Sequence, residues 1–132
     1  MTDKLKAFDL QSTFIVVEPN QSIIPINVTP TFFQDLDKNF GNFQDRLLIS
    51  CLSFDKDWPS WEIHPHGDEI VYLLLGEAEM IIKKDNNQET IFINKPGSYI
   101  IIPKATWHTA KIKVPTTMLF ITPGQDTENK PC

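Results

Sequence analysis

Residues 61–83 read WEIHPHGDEIVYLLLGEAEMIIK, and their pattern decides the fold class. Ile70 to Leu75 is a continuous apolar run, Gly76 interrupts it, and Glu77 to Lys83 resumes it, as two strands joined by a bend or tight turn would. Upstream, Trp58-Pro59-Ser60 separates a short strand, Trp61 to His66, from a longer extended segment, Arg46 to Phe54. Downstream, Asp85-Asn86-Asn87 is a hairpin turn, Glu89 to Ile93 returns, and Lys95-Pro96-Gly97 turns the chain again. Tyr99 to Ile102, Trp107 to Val114 and Thr116 to Thr122 continue the series, with Pro103-Lys104-Ala105 and Pro115 between them. Near the start, Thr13 to Val17 and Ile23 to Val28 are β-rich runs flanking a turn composition. One helix is expected. Thr29 would cap it, Pro30 suits its first turn, Phe32, Phe33, Leu36 and Phe40 recur at helical spacing, and Gly41-Asn42 ends it. Many short strands with regular turns specify an all-β sandwich or barrel with one short N-terminal helix. The polar tail, residues 123–132, reads as loose.

The 132 residues fit one domain, taken as 1–132, with a globular composition of 41% hydrophobic and 22% charged residues. A net charge of -5 with no run of Lys or Arg argues against nucleic acid and anionic membranes, while leaving room for a small ligand in a pocket. No segment approaches about 18 consecutive apolar residues. The first residues, Met-Thr-Asp-Lys-Leu-Lys, are not followed by an apolar signal stretch, so a cytoplasmic protein is expected. Cys51 lies in an apolar run and reads as a small buried hydrophobe, and Cys132 ends the chain, so no disulfide is expected between them.

The three histidines carry the chemistry. His64 and His66 are two apart and share one face if the strand stays regular through Pro65. Gly67-Asp68 then allows a turn, and Glu69 opens the next strand. Imidazole and carboxylate together suit a first-row divalent metal such as Fe, Mn, Zn or Ni. Glu62 lies on the same strand face, but residues four apart on a strand are about 13 Å apart. Glu62 and His66 therefore cannot both reach one ion through bonds of about 2 Å. Either Glu62 or His66 joins His64.

These residues resemble the cupin family. Its first motif is a His-x-His pair, a Glu, six residues and a Gly; here His64-Pro65-His66-Gly67-Asp68-Glu69 precedes six residues and Gly76. Its second motif is a Gly, five residues, Pro-x-Gly, two residues and a His; here Gly97, Pro103-Lys104-Ala105 and His108 keep the spacing, with Ala105 for the second Gly. Together the motifs occupy 61–112. The resemblance implies a double-stranded β-helix, or jelly-roll barrel, with a divalent metal held by His64, His66, Glu69 and His108, and Glu62 as the alternative to His66. The spacing to Gly76 selects Glu69 over Asp68 for the carboxylate.

The resemblance further implies a metal-dependent enzyme of dioxygenase or isomerase type acting on a small molecule. The alternative is a non-enzymatic module that senses a metal or small ligand. Small cupins also pair through their N-terminal strands, so a homodimer is expected. Of the remaining residues, Tyr99 has the parity to face inward, Tyr72 and Trp107 face away from the site, and Arg46, the only arginine, reads as a surface ion pair.

Overall fold

The computed structural model describes residues 5–132. Among the described residues, eleven strands form two antiparallel sheets facing one another, with one short helix packed on β1 and β3. β1 (Thr13–Val17) and β2 (Ile23–Asn27) form a hairpin, followed by α1 (Phe32–Asn39) and β3 (Leu47–Phe54). β4 (Ser60–Ile63), β5 (Glu69–Leu75), β6 (Ala78–Lys84) and β7 (Asn87–Ile93) come next. β8 (Tyr99–Ile102), β9 (His108–Lys111), β10 (Thr116–Thr122) and β11 (Glu128–Pro131) complete the chain. The order β2-β1-β3-β10-β5-β8 makes a six-stranded sheet and β11-β4-β9-β6-β7 a five-stranded one. This is the all-β jelly-roll expected, with one short helix. Among the described residues no helix is long and apolar enough to cross a membrane.

Alternation along the strands fills the space between the sheets. Val71 and Leu73 from β5 meet Met80 and Ile82 from β6 and Met118 and Phe120 from β10. Burying each such side chain contributes roughly 1.5–3 kcal/mol. A second cluster of Phe14, Val16, Phe32, Leu36, Phe43 and Leu48 packs the helix onto β1 and β3. The two clusters meet at Leu52, which touches both.

Several boundaries differ from the sequence expectation. The helix begins at Phe32, with Thr31 rather than Thr29 at its N-cap and Pro30 ahead of it. The Thr31 hydroxyl donates to Asp35 Oδ2 at 2.7 Å instead of capping the backbone. Phe32 and Leu36 are buried, and Phe33 turns outward. Tyr99, given an inward parity above, is exposed, because its neighbours Ile100 and Ile102 take the inner face. The tail is not loose: β11 pairs with β4 from Glu128↔Ile63 to Pro131↔Ser60 and closes the edge of the five-stranded sheet. The strand expected over Trp61 to His66 stops at Ile63, and Pro65-His66 forms a turn. Proline has no N–H for a ladder, so strand pairing ends there.

The bend at Gly76 is real and demanding. Its φ is +86°, and a Cβ there would lie 2.4 Å from the Pro115 carbonyl oxygen and 2.5 Å from Thr116 Oγ1. Only glycine fits both the backbone conformation and this approach.

Candidate metal centre

Four side chains converge between the sheets at one end of the barrel: Glu62, His64, Glu69 and His108. Their positions follow from the strands. Glu62 sits near the end of β4 and pairs with His108, the first residue of β9. Both side chains point inward from adjacent strands of the five-stranded sheet. His64 follows two residues after Glu62, immediately past the strand end. Its carbonyl accepts the Ala105 amide at 3.0 Å, tying it to the loop before β9. Glu69 opens β5 in the facing sheet.

One potential ligand atom from each residue lies within 4.8 Å of those from the others. His64 Nε2 is 2.9 Å from Glu62 Oε1 and 3.3 Å from Glu69 Oε2, and His108 Nε2 is 3.1 Å from Glu69 Oε1. Ligands held at about 2.1 Å from one ion at angles near 90 to 110° stand about 3 to 3.4 Å apart. These separations fit that geometry. His64, Glu69 and His108 are almost fully buried, while Glu62 keeps 30% of its side-chain surface.

A surrounding layer orients the donors. The Thr127 hydroxyl donates to the Gly124 carbonyl at 2.9 Å, which leaves its oxygen to accept from His64 Nδ1 at 2.8 Å. His108 Nδ1 donates to the Thr106 carbonyl at 3.0 Å. Thr122 Oγ1 donates to Glu69 Oε2 at 2.7 Å. Each imidazole thus uses Nδ1 for the protein and turns Nε2 to the centre, the arrangement in which an outer hydrogen bond fixes a metal-binding tautomer. His64 Nε2, His108 Nε2 and Glu69 Oε1 are sealed from solvent and have no aligned hydrogen-bond partner. Buried polar atoms are rarely left so, and three at one point suit the coordination of a cation between them.

Charge tells the same story. Burial opposes the charged form of His64, but the Glu62 and Glu69 carboxylates beside its Nε2 outweigh it and push the pKa up to about 9. Burial likewise works to raise Glu69, but the His108 and His64 imidazoles beside its carboxylate prevail and bring it down to about 2. The cluster is a concentrated negative site that holds a proton where a metal would stand.

The structure therefore brings together three of the four expected ligands, His64, Glu69 and His108, with Glu62, the alternative. It does not bring His66 there. His66 is about half exposed and its Nε2 meets Asp126 Oδ2 at 2.8 Å on the surface. The parity that paired it with His64 needed a strand continuing through Pro65, and the turn there aims it away. Asp68, the rival to Glu69, accepts the Lys104 amide at 2.8 Å. Thr122, Thr127 and the Thr106 carbonyl were not anticipated. Thr122 has the inward parity of β10, a signal within reach, whereas Thr127 lies in the tail that read as loose.

No family model matches the chain, and no curated protein matches it by sequence. Solved structures do. A recombinant oxalate oxidase in complex with glycolate superposes with a TM-score of 0.54 at 17% identity, covering 62% of this chain and 45% of that one. A mutant of Bacillus subtilis oxalate decarboxylase gives 0.52 at 16% identity, covering 64% and 23%. Both are cupin-superfamily proteins. The chain has the cupin fold. A hydroquinone 1,2-dioxygenase from Sphingomonas sp. TTNP3 also superposes, with a TM-score of 0.50 at 18% identity over 58% of each chain. The match spans less than two thirds of each of these cupin-like neighbours.

The remaining sequence expectations find simple places. Arg46 Nε pairs with Glu18 Oε2 at 2.6 Å, away from the cluster. Cys51 is buried and Cys132 exposed, both as free thiols. Lys130 lies over the Trp107 ring at 4.3 Å and Lys83 over Trp61 at 4.4 Å.

Proposed function

We propose that this chain is a metal-dependent enzyme of dioxygenase or isomerase type, acting on a small molecule beside a divalent ion held by Glu62, His64, Glu69 and His108. The carrying observation is the convergence of three sealed, unpartnered donor atoms at the wall of a cavity of about 860 Å³, which Glu62, His64 and Glu69 line. That volume lies within the range of small-molecule sites. Two histidines with carboxylates and open positions form the kind of donor set that non-haem Fe(II) oxygenases use, so iron leads the candidates Fe, Mn, Zn and Ni. A bound ion would supply Lewis-acid or redox activation of a ligand entering from the cavity. The protein's part is positioning. Thr127 and Thr106 hold the two imidazoles, Thr122 holds Glu69, and Glu62, the most exposed of the four, is the donor that faces the cavity most openly.

Elemental analysis of untagged protein tests this, with wild type beside His64→Ala, His108→Ala and His66→Ala. Near-stoichiometric metal is expected in wild type and His66→Ala, and its loss in the other two. Wild type that stays metal-free after reconstitution overturns the reading. Metal without turnover, in dioxygen-uptake and isomerisation screens with the reconstituted protein, would leave the sensing module as the function.

A further inference from the structure

The cavity carries information about its ligand beyond the presence of a metal. Its body is apolar, walled by Leu36, Leu48, Leu52, Phe54, Trp58 and Phe120. Its charges are acidic: Asp37, Asp55 and Asp57 line it together with Glu62 and Glu69. Among the described residues lining it, Lys56 is the only lysine or arginine; it lies exposed in the loop after β3, and Asp37, Asp55 and Asp57 are likewise exposed at the rim, where the acidic groups outnumber it three to one. The one arginine of the chain is engaged with Glu18 elsewhere. A divalent ion adds two positive charges to that of Lys56 and still leaves the lining net negative. Asp57 is fixed in place, because its Oδ1 accepts the Ile112 amide at 2.7 Å.

A carboxylate entering this space must shed water against a net negative lining: the one buried cation there, His64, already stands against Glu62 and Glu69, and Asp37, Asp55 and Asp57 add like charge along the lining. Burying an unpaired charge is among the most costly events in recognition. A flat apolar body finds a complementary aromatic wall in Trp58 and Phe120, whose rings pack against each other at 5.9 Å, centre to centre, together with Phe54. From this lining, and resting on the enzyme reading above, we infer that the site takes an uncharged or cationic molecule with an aromatic-sized apolar body, and discriminates against small carboxylates.

The test uses three ligands of one shape: 2-phenylethylamine, 2-phenylethanol and phenylacetate. Their binding to the full chain is measured by calorimetry and ligand-observed NMR, in metal-free and metal-reconstituted protein. The amine and the alcohol are expected to bind at least tenfold more tightly than phenylacetate in the metal-free form. In Asp37→Lys/Asp55→Lys the gap between amine and carboxylate should shrink at least tenfold, while Glu89→Lys on β7, outside the cavity, should leave it unchanged. Equal or tighter binding of phenylacetate to the metal-free protein, or no binding by any of the three at millimolar concentration, overturns the inference. The failure of the enzyme reading is scored separately, by metal content and turnover, and leaves the metal-free ligand ranking to stand or fall alone.

Discussion

At the scale of single residues, His64 couples protons to the metal. Its pKa is about 6.5 when unfolded and about 9 in the metal-free fold. A raised histidine pKa contributes stability that is present below 6.5 and is lost as pH climbs through 9. Glu69 is shifted the other way, from 4.5 to about 2, so its contribution is present above 4.5 and lost as pH falls through 2. Both contributions are complete only between about 4.5 and 6.5. EDTA-treated protein should therefore melt at its highest temperature in that window and at progressively lower temperatures toward pH 9. Metal affinity should run in the opposite sense. The ion must displace the proton on Nε2, so apparent affinity rises about tenfold per pH unit between roughly 6.5 and 9. Competition titrations at pH 6.5, 7.5 and 8.5 check this, and an affinity independent of pH would show that His64 is already neutral in the metal-free fold at pH 6.5. Thr127 belongs to the same scale. Thr127→Val removes the oxygen that accepts from His64 Nδ1 and should weaken metal binding about 10–100-fold, with no loss of the fold. An unchanged metal affinity in that variant would mean that the ring is oriented by packing alone.

At the scale of elements, the ends of strands decide the site. Gly76 turns β5 into β6 with a positive φ while the Pro115 carbonyl presses on it. Gly76→Ala should cost at least about 2 kcal/mol, from a strained backbone and a forced shift at Pro115 and Thr116, and thermal melting of the variant should show it. A melting point within a degree of wild type would mean that the turn relaxes freely. That turn was legible because glycine between two apolar runs has a local meaning. The spacing around Glu69 and His108 was legible for the same reason. The ending of β4 was misread although Pro65 stands in plain sight, because two-residue parity was carried across a residue that cannot donate to a ladder. The choice between Glu62 and His66 hung on that single boundary. β11 was not legible at all. Glu-Asn-Lys-Pro has no apolar alternation, and it becomes a strand only because β4 offers it an open edge. With it comes Thr127, so the outer support of His64 was hidden by the same nonlocal pairing.

At the scale of the whole molecule, the six-stranded sheet is apolar on both faces. Its inner face fills the barrel. Its outer face carries Ile15 and Ile49, paired across β1 and β3, then Ile121 and Ile70 across β10 and β5, then Ile101 on β8. Leu74 is 41% exposed, Ile101 54% and Tyr99 60%. Antiparallel sheets that face water usually alternate apolar and polar residues, and this one does not. Six strands about 4.8 Å apart and about six residues long span roughly 25 Å by 20 Å. A largely apolar face on the order of 500 Å² stands at the upper end of what monomers leave uncovered. We propose that a second copy of the chain covers it, which agrees with the homodimer expected from the cupin resemblance. Light scattering coupled to size exclusion should give a dimer of 15.2 kDa chains at micromolar concentration. Leu74→Lys/Ile101→Lys should weaken association by at least about 100-fold, since burying two unpaired charges within an apolar contact removes about 3 kcal/mol. The double variant should keep its metal, because neither position touches the cluster. A wild type that runs as a monomer at 100 times that concentration would overturn the dimer, and metal lost together with the dimer would mean that the sheet face and the metal centre are not independent.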